Sequence, residues 1–283
     1  NQSAHFLRSI ARGTSLDSDA VYNNPAGVVF MADGFHIGLN DQMAKQTRTI
    51  TSTYAPFAMG AQNGGLMTKE YEGEVFSPLI PSFHLTWKKN RWAVMVGMGV
   101  NGGGGSLEYN NGLASFERQF SVLPAGVSNL GQAFGLSANQ YNMDMYLKGN
   151  SMTLAFNVGA AFRITDWLSV AAQVRMGVTN NSYTGAIEGI KINPTMAAMG
   201  LNGQMMGAAQ FFTAAGQMLG QMNPALAAQA AQYAALTSDH ILDVKQKGTS
   251  VSPVLALAIH KGKWDASIKY EFKMGTELEI ESA

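Results

Sequence analysis

The chain has 283 residues, no cysteine, and 19 basic against 19 acidic side chains. Zero formal net charge leaves no electrostatic footprint for nucleic acid or an acidic surface. The absence of cysteine excludes a disulfide scaffold and a cysteine metal site, and a charged share of 13% is low for a soluble domain.

Residues 1–15 contain no continuous apolar core, so no secretion leader is visible and an exported protein is read here in its mature form. Residues 1–33 carry Arg8, Arg12, Asp17 and Asp19, then Asn23-Asn24-Pro25-Ala26-Gly27. Asn-Pro marks a turn and Gly27 permits a close one, so this stretch does not read as a lipid-facing strand. Pattern alone leaves two readings open, an ordered N-terminal arm or a plug folded into a lumen.

From Phe35, Ile37 and Leu39 onward the signal has period two. Phe83, Leu85 and Trp87 share a face opposite Ser82, His84 and Thr86. Trp92, Val94, Val96, Met98 and Val100 share the next, and similar runs cover 151–162, 168–178, 251–259 and 264–272. One face is apolar throughout; the other is small, polar or charged. Several runs reach about 10–12 residues, enough for a tilted strand to cross a bilayer. All four tryptophans (Trp87, Trp92, Trp167, Trp264) stand beside short polar turns, as an aromatic girdle on one rim would.

The connections alternate short turns with long loops, at about 49–80, 101–150 and 179–249, the pattern of periplasmic turns and extracellular loops. The expected fold is an all-β antiparallel transmembrane β-barrel, with residues 1–33 as a separate N-terminal unit and 34–283 as partial barrel. About seven strands are countable. Bacterial single-chain barrels have even numbers, and an open edge in lipid strands backbone N–H and C=O groups. The chain is therefore expected to be the N-terminal part of a larger barrel, monomeric when full length.

The loops are greasy. Phe116/Phe120 and Leu130/Phe134 have helical spacing, and 195–236 carries no charged residue. That segment holds Met205, Met206, Phe211, Phe212, Met218 and Leu219 on an alanine background, read as two or three short helices broken near Gly200 and Asn223-Pro224. Phe116, Phe120, Phe134 and this second set suit an adaptable apolar ligand groove. They also suit loops that pack against each other. Inward His84, Arg175 and Lys269, with Arg163, are candidates to attract a carboxylate, Arg175 first because it pairs bidentately. No HExxH, Gly-x-Ser-x-Gly or phosphate-loop spacing occurs. The chain is expected to be no enzyme, with no catalytic residue, metal or cofactor.

The stretches Asn1-Gln2-Ser3-Ala4 and Asp19-Ala20-Val21-Tyr22-Asn23-Asn24-Pro25-Ala26-Gly27 resemble the FadL/TodX family of outer-membrane transporters for long-chain fatty acids and other hydrophobic compounds. The resemblance implies a fourteen-stranded barrel of which this chain holds the N-terminal half to two-thirds. It implies an N-terminal hatch containing Asn23, Asn24, Pro25, Ala26 and Gly27, facing the periplasm. A hydrophobic ligand (a fatty acid or a detergent-like molecule) is captured between extracellular loops, passes the hatch and leaves laterally. The lateral gate is a kink in the third strand, for which Gly97, Gly99, Gly102 and Gly103 are the candidates. Two alternatives for the glycines stay open: Gly97 and Gly99 give the hatch room, and 102–105 is a flexible entry to a loop. Outer-membrane lipid and lipopolysaccharide are the implied surroundings. A surface adhesin or receptor and a small-solute porin are the competing functions.

Overall fold

The structure, a computed structural model, describes residues 5, 9, 11–131, 135–220 and 223–282, the side chain of Leu219 excepted. A short helix α1 (Ala20–Asn23) and a 3-10 turn over Pro25–Phe30 precede the first strand. β1 (Gly34–Asn40) and β2 (Ala44–Thr53) run one way; β3 (Thr68–Ser77) and β4 (Ser82–Lys89) return. β1 pairs with β4 and β2 with β3, so the four make one long hairpin with a break at 41–43 and 78–81. The break is spanned by reciprocal Gln42–Ile80 backbone bonds of 3.3 and 2.8 Å.

β5 (Trp92–Tyr109) leads to helices α2 (Ala114–Phe120) and α3 (Leu123–Gly131), then β6 (Tyr141–Arg163) and β7 (Leu168–Ile192). The last loop contains short strands β8 (Thr195–Met196), β9 (Leu201–Asn202) and β10 (Met206–Gly207), and helices α4 (Ala208–Gly220) and α5 (Pro224–Leu236). β11 (His240–Lys261), β12 (Trp264–Glu271) and β13 (Glu277–Ser282) finish the sheet. Its strand order is β1-β4-β5-β6-β7-β11-β12, every pair antiparallel, and β13 prolongs β12 along β11. These are the seven strands expected, in an open sheet. β12 and β13 are separated where residues 272–276 pass Pro253 of β11, which has no N–H to give the ladder.

The strands are longer than the alternation predicts. The hairpins continue to Thr53/Thr68, Tyr109/Tyr141 and Ile192/His240, which shortens the long connections to 54–67, 110–140 and 193–239. In these upper halves the outward residues turn polar, as with Lys148, Thr184 and Asp243 in one row across β6, β7 and β11. The backbone ladder goes on after the apolar signal stops.

The helical forecast for 195–236 holds in outline. α4 and α5 are separated just before Pro224, whose fixed φ suits a helix start, and the Asn223 side chain caps α5 by accepting from Ala225 N at 3.0 Å. Gly200 breaks the earlier part in a left-handed turn at φ 66°. No helix among the described residues is long and apolar enough to cross a membrane.

The sheet is reversed relative to a water-soluble one. Its outward residues are large and apolar yet exposed, among them Phe35, Ile37, Leu39, Trp92, Val94, Phe156, Val158, Val174, Met176, Val251, Leu255 and Ile268. Its inward residues are small or polar and buried. One transverse row reads Lys88, Ala93, Ala161, Ala171, Ala256, Lys269; two rows further on lie His84, Gly97, Asn157, Arg175 and Ser252. The four alanines leave the depth that Ala20, Val21, Ala26, Val28 and Val29 of the N-terminal segment fill.

Candidate functional site

The first component is the seat of the N-terminal segment. Gln173 Nε2 donates to the Val21 carbonyl at 2.7 Å, Ser169 Oγ to Ala26 O at 2.6 Å and Lys269 Nζ to Tyr22 O at 3.0 Å. Lys88 pairs with Asp33 at the end of the segment. Within the segment, Asp19 is buried and accepts from Arg12 at 2.6 and 2.8 Å, Ser15 Oγ at 2.7 Å and Asn23 Nδ2 at 3.0 Å. Burial alone pushes the Asp19 carboxyl up, but the bonds from Arg12 and Ser15 outweigh it and hold it below the usual carboxylate range. Asn24, Pro25, Ala26 and Gly27 are buried beneath the sheet's inner face, and Asn23 is half-buried. Gly97 serves this packing: a Cβ there would stand 2.9 Å from the Val21 side chain.

The second component is the polar row. Arg175, 1% exposed, donates through Nε to Asn157 Oδ1 at 2.7 Å, pairs with Glu271, and lies 4.2 Å from the Tyr22 ring centroid. His84 shares its row, and Lys269 sits two rows away against the same tyrosine at 5.0 Å. The structure thus gathers the three inward candidates around the N-terminal segment. Arg175 already has a carboxylate, from Glu271 rather than from a ligand.

The third component is a gap in the sheet wall. β5 pairs with β4 over 92–99 and with β3 over 106–109. Between these stretches β5 keeps its ladder with β6 but shifts register twice, between Val100 and Gly102 and between Gly103 and Gly105. The expected kink is therefore a pair of bulges inside a continuous strand. Gly103 has φ 68°, and a Cβ there would lie 2.0 Å from the Ser151 carbonyl oxygen, so the second bulge requires glycine. Gly97 and Gly99 lie before it in regular ladder.

The fourth component is an apolar cavity of about 290 Å³ between the two helical loops. α3 gives Leu130 and Gly131, the segment after it Leu136, and the β8–β10 stretch Met196, Met199, Leu201 and Met206. α4 contributes Phe211, Ala214, Ala215 and Met218, spaced i, i+3, i+4 and i+7 on one helical face. Of the sequence candidates, Met206, Phe211 and Met218 line it. Phe120 and Phe212 lie in the core beneath, with Phe116 packed against them. Met205 is half-buried outside the lining. Phe134 and the Leu219 side chain lie outside the described residues.

That core rests on Tyr141, Met143, Met145, Ile190 and Ile192 at the tops of β6 and β7. A buried carboxylate fastens it: Glu117 of α2 accepts from Lys69 Nζ at 2.7 Å, Tyr71 OH at 2.7 Å and Tyr141 OH at 2.8 Å. Burial and the neighbouring carboxylate push the Tyr71 hydroxyl well above the usual phenol range. Nothing in the spacing of Lys69, Tyr71, Glu117 and Tyr141 announces this hub. Among the described residues no group of histidine and acidic side chains is placed to hold a metal. Comparison of the chain with protein-family models, curated proteins and solved structures finds no match.

Proposed function

We propose that this chain forms the N-terminal part of an outer-membrane β-barrel that admits hydrophobic small molecules passively. The observation that carries the reading is the reversed sheet: large apolar side chains exposed in a band on one face, and a charged, hydrogen-bonded segment seated on the other. In water such a face is a penalty over its whole area; in lipid it is solvated. On β6 the band runs from Phe162 to Met152 and gives way to Asn150; on β7 it runs from Leu168 to Val178 and gives way to Asn180, which faces Met152. Ten residues at roughly 3.3 Å each, tilted about 40°, span about 25 Å, the height of such a band.

Capture falls to the methionine-rich cavity, which presents hydrocarbon, thioether and backbone and no charged side chain. The seated N-terminal segment is the hatch, and the stretch between 77–81 and 100–105 is the lateral exit. The resemblance of the N-terminal motif to FadL/TodX transporters belongs to the same proposal. A free small-solute pore is at odds with a segment packed across the inner face.

The test is uptake into liposomes by the complete protein, with a fluorescent long-chain fatty acid beside a small sugar. Saturable entry of the fatty acid with sugar excluded is expected. Sugar entry points to a porin, and entry of neither to an adhesin.

A further inference from the structure

Tyr22 ties the N-terminal segment to a defect in the sheet. Its ring is held by two cations, the Arg175 guanidinium at 4.2 Å and the Lys269 ammonium at 5.0 Å from the centroid. Cations removed from water bind a ring face strongly. The backbone on either side of the ring is fixed too, by Gln173 at Val21 O and Lys269 at Tyr22 O. With ring and backbone held, the hydroxyl has one direction left. It donates to Asn101 Oδ1 at 2.5 Å.

Asn101 is the extra residue of the first bulge. Val100 faces Leu154 and Gly102 faces Thr153, which leaves Asn101 without a counterpart on β6. On the other side of β5, ladder pairing ends at Gly99 and resumes at Ser106. The residue that Tyr22 grips is thus one the ladder does not position. A bulge re-aims the side chain of its unpaired residue, and here that side chain meets the Tyr22 hydroxyl.

We propose that Tyr22 is a positioning residue, a latch through which the seating of the N-terminal segment sets the bulge at Asn101 and is stabilised by it. When the segment leaves, Asn101 loses its donor and both cations lose the ring, so the wall at 100–105 is freed together with the inner face. The coupling runs in both directions: altering Asn101 loosens the segment. The latch is a property of the fold, and the transport reading gives it a use.

The chain has no native cysteine, so with any cysteine outside it replaced by serine, one introduced cysteine reports cleanly. Ala161→Cys places it on the inner face beneath the segment, at a residue that is 2% exposed. Maleimide labelling of this site in the purified complete protein is compared with Tyr22→Phe, with Asn101→Ala and with both. Tyr22→Phe keeps the ring and its cation contacts, and far-ultraviolet circular dichroism verifies the sheet in each variant. Each single change is expected to accelerate labelling at least tenfold, and the double change no more than the faster single. Unchanged rates in the singles, or rates that multiply in the double, overturn the latch. Fatty-acid uptake is measured on the same variants. Coupled labelling with unaltered uptake leaves the latch standing and removes the transport reading instead.

Discussion

Asp19 and Glu117 each gather three partners around one buried carboxylate, Asp19 in the N-terminal segment and Glu117 in the loops. Such a group is costly to bury alone and strongly destabilising to disrupt, by roughly 3 kcal/mol for a broken buried pair. Asp19→Asn should therefore unseat the N-terminal segment by about that amount, read as lost protection of 11–33 from limited proteolysis at neutral pH. The native protein should show the same change in acid. Since the folded Asp19 value lies below the ordinary 3.8, its stabilisation is complete above that pH and drains away as pH falls through the folded value. Equal protection of the native protein and Asp19→Asn at neutral pH would mean that Asp19 does not hold the segment. Glu117 was not legible in advance, because its partners come from distant positions: Tyr141 is 24 residues away and Lys69 is 48. The Asp19 partners lie only 4 to 7 residues away, but their spacing matches no motif that marks a buried carboxylate.

At the level of elements, the lower halves of the strands and the short turns could be read because one face alternates strictly and the turns carry Asn90 at φ 56° and Gly262 at φ 63°. The upper halves could not. Beyond Met152 and Val178 the ladder persists but the outward apolar face ends, and at the top of β6 the apolar residues Tyr141, Met143 and Met145 lie on the inward side instead. The glycine run showed that β5 is irregular but not how: only the register reveals two bulges instead of a break. In the loops, Phe116/Phe120 and Phe211, Phe212 and Met218 marked helices, while Met205 and Met206 precede α4 and Phe134 lies outside the described residues; none of them marked which residues meet. Phe120 and Phe212 went to the core, while Ala214 and Ala215, too small to register as hydrophobic signal, reached the cavity. This division makes a prediction at the α4 face. Met218→Glu sets a charge at an apolar lining and should weaken binding of a fluorescent long-chain fatty acid about tenfold or more in an equilibrium titration. Gln217→Glu, one position away and exposed outside the lining, should leave it unchanged. Equal losses in both variants would indicate that charge near α4, rather than the cavity, governs binding.

Across the whole molecule, the exposed apolar band, the polar inner rows and the loop core form three levels that agree strand by strand. The Pro25–Phe30 turn touches β4, β5, β6, β7, β11 and β12. A segment made early thus meets strands that are synthesised much later. Bringing such distant strands together costs chain entropy before any contact returns it. A short segment in touch with six strands shares that cost out, because each arriving strand docks on a scaffold already present. The N-terminal segment would then be an assembly template as well as a stopper. Deleting residues 1–33 should slow refolding into lipid vesicles at least several-fold, measured by the growth of β-sheet dichroism, even where the final sheet content is the same. Refolding at an unaltered rate would leave the segment only its mature role. With templating, residues made before the strands set the pace at which the sheet is built.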